Sequence, residues 1–136
     1  MLLAQSYGRL RPPRLQEALG LLDQARSEAT ARGIRPIATL EFARGDCLAR
    51  MNRIEEAERA FDDEIRLFPH DEQAYANLTA IFLLQGRKKD AQKTAERLVA
   101  ANPFRRAYDL AAQTFQELGR TEDAAGWRKR GASVRQ

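Results

Sequence analysis

The sequence predicts an all-α fold of stacked antiparallel helix pairs, and three observations carry that prediction. Matched positions recur at a fixed interval: Pro69 and Pro103, Ala57 and Ala91, and Phe61 and Ala95 are each 34 apart, while Tyr75 and Tyr108, Gly86 and Gly119, and Ala91 and Ala124 are each 33 apart. Such a period marks a repeat architecture. Inside a unit the apolar residues step by three and four, as in Tyr75, Leu78 and Phe82 and then Ala91, Ala95, Leu98 and Val99, which lines one face of a helix. Glycine and proline punctuate the pattern. Gly86 and Gly119 stand where a helix end wants a residue that tolerates positive φ, and Pro69 and Pro103 stop the helices before them.

Taken in order, the spacing predicts helices near residues 2–10, 14–32, 37–51, 54–67, 72–85, 88–101, 105–118 and 121–133. They group into four units near 1–36, 37–71, 72–104 and 105–136, within a single domain spanning 1–136. The second helix is expected to be longer than its counterparts, because Ala18 and Ala57 are 39 apart rather than 34. A Pro-Pro insertion at Pro12 and Pro13 falls in the turn before it.

At these residues the chain resembles the tetratricopeptide repeat, a helix-turn-helix of about 34 residues. The third unit carries the signature most fully, with Tyr75, Leu78, Phe82, Gly86, Ala91, Ala95 and Pro103. The second keeps Gly45, Leu48, Ala57, Phe61 and Pro69 but has Glu41 and Arg44 where large apolar residues are usual. The fourth keeps Tyr108, Phe115, Gly119 and Ala124 and then places Arg128 where an apolar residue would meet a further repeat, as a capping helix would. The first retains Leu3, Tyr7, Ala18 and Leu22, with only half of its leading helix. The resemblance implies a right-handed superhelix, an α-solenoid of about three and a half repeats. Each small residue (Gly45, Thr79, Ala112) is expected to face an alanine (Ala57, Ala91, Ala124) so that backbones can approach. The truncated first unit reads as a fragment of a longer chain. The stretches LEFARGDCLARMNR and FRRAYDLAAQTFQE also resemble repeat tails at the C-termini of bacterial sulfatase-type hydrolases.

Composition narrows the function classes. No run approaches the roughly 18 apolar residues of a membrane span, and MLLAQSYGRLRPP has neither the basic leader nor the cleavage site of a secretory signal. A cytoplasmic setting is the default expectation, and arginine over lysine with abundant alanine suggests a bacterial source. The net charge of +4 distributes as +3, −4, +2 and +3 over the four units, so an acidic second unit interrupts any basic stripe. Nucleic-acid binding is not expected from that distribution.

Candidate chemistry is sparse. One His and one Cys cannot build a metal site, and no cofactor is expected. His70 lies in a turn after Pro69, and Cys47 lies mid-helix beside Leu48, where a packing thiol is expected over a nucleophile. A sulfatase-type C-x-P-x-R setting is absent: the cysteine reads Cys47, Leu48, Ala49, Arg50, Met51. Glu55, Glu56, Glu58, Asp62, Asp63 and Glu64 share a helix with Arg53, Arg59 and Arg66 and read as a solvated, salt-bridged face. The chain is therefore expected not to be an enzyme.

What remains is surface. The resemblance places the first helix of each pair on a concave side. Phe42, Asp46 and Arg50 from the second unit, Gln73, Asn77, Ala80, Leu83 and Leu84 from the third, and Arg106, Asp109 and Gln113 from the fourth should then form a partner-binding groove. Phe42, Leu83 and Leu84 give it an apolar strip with a polar border, suited to an extended peptide or a partner helix. The other reading has Phe42 and Leu84 packing between repeats and Asn77 pairing with a neighbouring backbone, as the family's common Asn does. Trp127 is expected to cover the end of the core, with Arg128, Lys129 and Arg130 facing water. An interaction scaffold follows, binding a protein, a peptide or another domain of its parent and compatible with a homodimer. The alternative is a non-catalytic accessory or dimerisation tail of a larger hydrolase.

Overall fold

The structure of the chain is a computed structural model that describes residues 12–134. Seven helices occur among them: α1 (Pro12–Ala31), α2 (Leu40–Arg50), α3 (Ile54–Leu67), α4 (Glu72–Leu84), α5 (Lys88–Ala101), α6 (Arg105–Glu117) and α7 (Thr121–Ala132). No strand is present among the described residues. The helix expected near 2–10, with Leu3 and Tyr7, lies outside them. Two compact units divide at Ala74 and Tyr75, inside α4. In the first, α2 packs on α1 and α3; in the second, α6 packs on α5 and α7. Within each unit these helices pack on their neighbours in the chain, as a repeat of helix hairpins requires.

The turn inside a hairpin is built the same way three times. Asn52, Gly86 and Gly119 take positive φ of 63°, 70° and 78°, and the arginine after each donates its N–H back to the carbonyl five residues earlier. These bonds are Arg53 to Leu48, Arg87 to Phe82 and Arg120 to Phe115, at 2.8, 2.8 and 2.9 Å. Together with bonds from Asn52 to Ala49, Gly86 to Leu83 and Gly119 to Gln116, they complete Schellman caps that satisfy the last carbonyls of the helix. Asn52 stands where the other two turns have glycine, since asparagine tolerates this region better than other side chains. The same arginines open the following helix without any side-chain cap. Each instead pairs with an acid three residues on: Arg53 with Glu56, Arg87 with Asp90 and Arg120 with Asp123. Between hairpins the pattern changes: Phe68 and Asn102 each take φ of −135° and donate to a carbonyl four residues back before Pro69 and Pro103 stop the helix.

Two boundaries differ from the sequence expectation. Pro12 and Pro13 form the first turn of α1 rather than the turn before it, since the missing proline N–H has no partner to lose there. The next helix starts at Leu40 rather than residue 37, because Thr39 adopts φ of 68° and interrupts helical geometry. The expected length of α1 is present, 20 residues against 11–14 in the others.

The core follows the apolar stripes. Leu48, Ala57, Phe61 and Ile65 are buried in the first unit, and Tyr75, Leu78, Ala91, Leu98, Tyr108, Ala112, Phe115 and Ala124 in the second. The close approach at Gly45 is to Phe61, one turn beyond the expected Ala57: a Cβ there would stand 2.8–3.0 Å from three ring carbons. Trp127 covers Tyr108 and Phe115, with ring centroids 6.0 and 5.7 Å away. Arg130 does not simply face water but lies over the Trp127 ring, 4.5 Å from its centroid.

Gly45→Ala therefore gains about 1 kcal/mol of helix propensity but loses about 1–3 kcal/mol through overpacking against a ring that is fully buried. A net destabilisation is expected by urea denaturation. Gly126→Ala, in α7 with nothing near its added Cβ, should instead gain about 0.5–1 kcal/mol; equal gains at both sites would show that Phe61 yields.

Candidate partner-binding surfaces

In the first unit, α2 carries four charged side chains, which pair with one another and with Asp23 and Arg26 of α1. Glu41 is 6% exposed. Its carboxylate accepts from Arg44 at 2.7 Å and from Arg26 of α1 at 3.1 Å. Arg44 also donates to Asp23 of α1 at 2.7 Å. The polar pair that stands where the repeat usually has large apolar residues is thus an ion network joining α1 to α2. Desolvation would lower the Arg44 pKa, but its hydrogen bonds to Asp23 and Glu41 outweigh that and raise it, so the guanidinium stays charged.

Glu64 is the larger departure. Sequence placed it on a solvated face, yet it is fully buried on α3. Its position three residues after Phe61 puts it on the apolar stripe rather than beside it, and that spacing was the available signal. Oε2 accepts from the Thr39 N–H at 3.0 Å and Oε1 from the Phe42 N–H at 3.4 Å. These are free donors at the start of α2, which lacks a cap from its own N-cap side chain. A positive φ at a β-branched residue is strained, and the bond that the Thr39 N–H donates to Glu64 helps hold it there. Burial, and then the neighbouring Asp71 carboxyl, raise the Glu64 pKa to about 7.

Of the groove residues expected in this unit, Phe42 is half-buried with its ring 5.6 Å from Phe61, edge to face. Arg50 is partly exposed and Gln73 exposed. Asp46 differs from expectation: it is fully buried and accepts from Arg50 Nε at 3.2 Å, so it orients Arg50 instead of reaching solvent. Beside them, a recess of about 170 Å³ that sequence reasoning missed is lined by Ala29, Ile34, Pro36, Ile37, Leu40 and Leu67, with Arg26, Glu41, Asp63 and Arg66 among its polar edges.

In the second unit Leu84 is 72% exposed, Leu83 and Ala80 are half-buried, and Arg106, Asp109 and Gln113 are exposed. Asn77 is fully buried, again unlike a groove contact, and neither amide atom finds a hydrogen-bond partner among the described residues. The backbone pairing that the alternative reading gave it is not present there. Phe104, before α6, is 50% exposed.

Reactive groups are few. Cys47 is buried, and desolvation followed by the Asp46 charge pushes its thiol up to about 11. His70 is exposed in the α3–α4 turn. Among the described residues no three His, Cys, Asp or Glu side chains converge as metal ligands, and no helix is long and apolar enough to cross a membrane.

Solved structures with this fold exist. The chain is similar to MamA, a tetratricopeptide-like helical-repeat protein: one crystal structure aligns with a TM-score of 0.56 at 21% identity over 70% of this chain. A MamA RS-1 ArsTM double mutant aligns at 0.59 and 24% over 87% of this chain, and MamA MSR-1 at 0.59 and 13% over 88%. The fold is therefore of the tetratricopeptide type. This chain spans 56% of the first of those chains and 64% of the second. No protein-family model and no curated protein matches it. The likeness to sulfatase-type repeat tails has no counterpart among these neighbours.

Arg44→Leu should cost about 1–3 kcal/mol in urea denaturation, because it strips a partner from buried Glu41 while Arg26 remains. The double variant Glu41→Leu, Arg44→Leu, which restores the apolar pattern usual in the repeat, should recover most of that loss. Cys47 should resist a thiol-specific reagent at pH 8 in the folded chain and react rapidly in denaturant, since thiolate and access are both withheld.

Proposed function

We propose that this chain is a helical-repeat scaffold that binds another protein, a peptide or another domain of its parent chain, and performs no chemistry itself. The supporting observation is the placement of large apolar side chains in solvent on a frame of packed hairpins, above all Leu84 at 72% exposure. The fold shared with MamA is compatible with that role. Exposed apolar groups bordered by polar ones suit a peptide or helix ligand.

The contacts proposed in the first unit are Phe42, Arg50 and Gln73; in the second they are Ala80, Leu83, Leu84, Arg106, Asp109 and Gln113. Asp46 and Asn77, being buried, serve as supports beneath these surfaces rather than as contacts. A role as the accessory or dimerisation tail of a hydrolase rests on two short sequence stretches and on no structural neighbour.

Leu84→Asp should leave the far-UV helical signal unchanged and abolish capture of those proteins that the unaltered chain retains from lysate. Leu21→Asp, equally exposed at 68% but on α1, should retain them. Loss of capture in both variants, or in neither, would count against this surface.

A further inference from the structure

The buried acid on α3 does more than cap a helix. Asp71, in the turn between α3 and α4, accepts the Ala74 N–H through Oδ1 at 3.4 Å and so caps the first turn of α4. Its other oxygen, Oδ2, is buried and receives no hydrogen bond from any N–H or O–H among the described residues. The Asp71 side chain is the hydrogen-bond partner of the buried Glu64 carboxyl. Two ionised carboxylates cannot hydrogen-bond to each other, whereas one proton between them supplies the missing donor and removes the repulsion.

We infer that Glu64 and Asp71 share a single proton that fastens the α3–α4 turn to the start of α2, and that losing this proton releases the turn.

The surroundings give ionised Glu64 little relief. On α1 and α2, Arg26 and Arg44 are engaged with Glu41 and Asp23. On α3, Arg66 pairs with Asp63 and is itself two-thirds exposed. His70 is exposed, and Glu72 at the start of α4 adds a further acid. What remains for Glu64 is two backbone N–H groups, the nearer of them at 3.0 Å. When the proton leaves, Glu64 stays, because it is fully buried and held by those donors. Asp71 yields, because it is only half-buried and sits on a turn. The Ala74 N–H then loses its side-chain acceptor.

The sign of the linkage follows. The folded chain holds the proton to about pH 7, whereas the unfolded chain loses it near 4.5. The stabilisation is complete below pH 4.5 and is lost progressively as pH rises to 7.

The test is a carbon-detected NMR titration of the Glu64 carboxyl in the full chain, read with the Ala74 amide. The expected midpoint is near 7, with the Ala74 amide shifting in step and its exchange protection falling above it. Asp71→Asn, which supplies a permanent donor without a charge, should move the Glu64 midpoint to lower pH. Glu64→Gln, whose amide donates to Asp71 at every pH, should abolish the Ala74 step and flatten urea stability between pH 5 and 8. A wild-type midpoint near 4.5 would overturn the inference, as would a high midpoint that Asp71→Asn leaves in place. The wild-type titration stands even if a variant fails to fold.

Discussion

The left-handed residue that ends the first helix of each hairpin is the constraint on which the structure depends. A chain of helices has no reason to fold back on itself at a regular interval unless the reversal is locally fixed. Asn52, Gly86 and Gly119 fix it. Once that residue turns, the following arginine is delivered to the position where its N–H closes the cap. Its guanidinium then does two further things. Arg87 and Arg120 cover Phe82 and Phe115, at 4.5 and 5.1 Å from the ring centroids, where a hydrophobic side chain usually seals such a cap. All three arginines bridge to an acid in the next helix. One side chain therefore ties the end of one helix to the beginning of its partner. Those pairs are exposed and individually weak, so their use is to set geometry rather than to hold the fold.

That device also accounts for part of the basic composition. Three of the arginines that raise the net charge are committed to turns, each beside its own acid. Arg26 and Arg44 are committed to the contact of α1 with α2. A positive total thus coexists with a surface on which many cations already have local partners, unlike the unpaired stripe that a phosphate backbone selects.

How much of this was legible in the sequence depends on how far apart the cooperating residues lie. The period, the hairpins and the stops at Pro69 and Pro103 were legible because each is a local matter of i, i+3 and i+4 spacing or of a single residue's backbone. Gly86 and Gly119 announced their turns; Asn52 did the same work without announcing it. The burial of Glu64 was signalled only by its place three residues after Phe61, and a carboxylate among carboxylates reads as solvent-facing until its donors are known. Those donors, Thr39 and Phe42, are 25 and 22 residues away. The left-handed Thr39, which moved the start of α2, had no signal, because nothing local favours it. Asp46 and Asn77 failed for a related reason: a register drawn from the repeat assigns a direction to each residue, whereas burial depends on the particular neighbours. For the polar groups inside the fold that sequence misjudged, burial depends on neighbours that spacing along the chain does not name.

The position of the exposed apolar groups bears on function more than their number does. Leu67 and Leu84 are the last residues of α3 and α4, Phe104 stands at the N-cap of α6, and Ile34 and Ile37 lie between α1 and α2. Among the described residues only Leu21, within α1, is a large exposed hydrophobic in the body of a helix. In a repeat fold the helix bodies are committed to neighbours, and a change there is felt through the whole packed face. Helix ends are not so committed, and their side chains can vary while the close approach of Gly45 to Phe61 and the buried Ala57 and Ala91 persist. Apolar residues at helix ends carry a desolvation cost that the core does not need, and a partner's surface would remove it. A binding surface built from helix ends leaves the stacking register untouched, which lets one frame present different contacts without refolding.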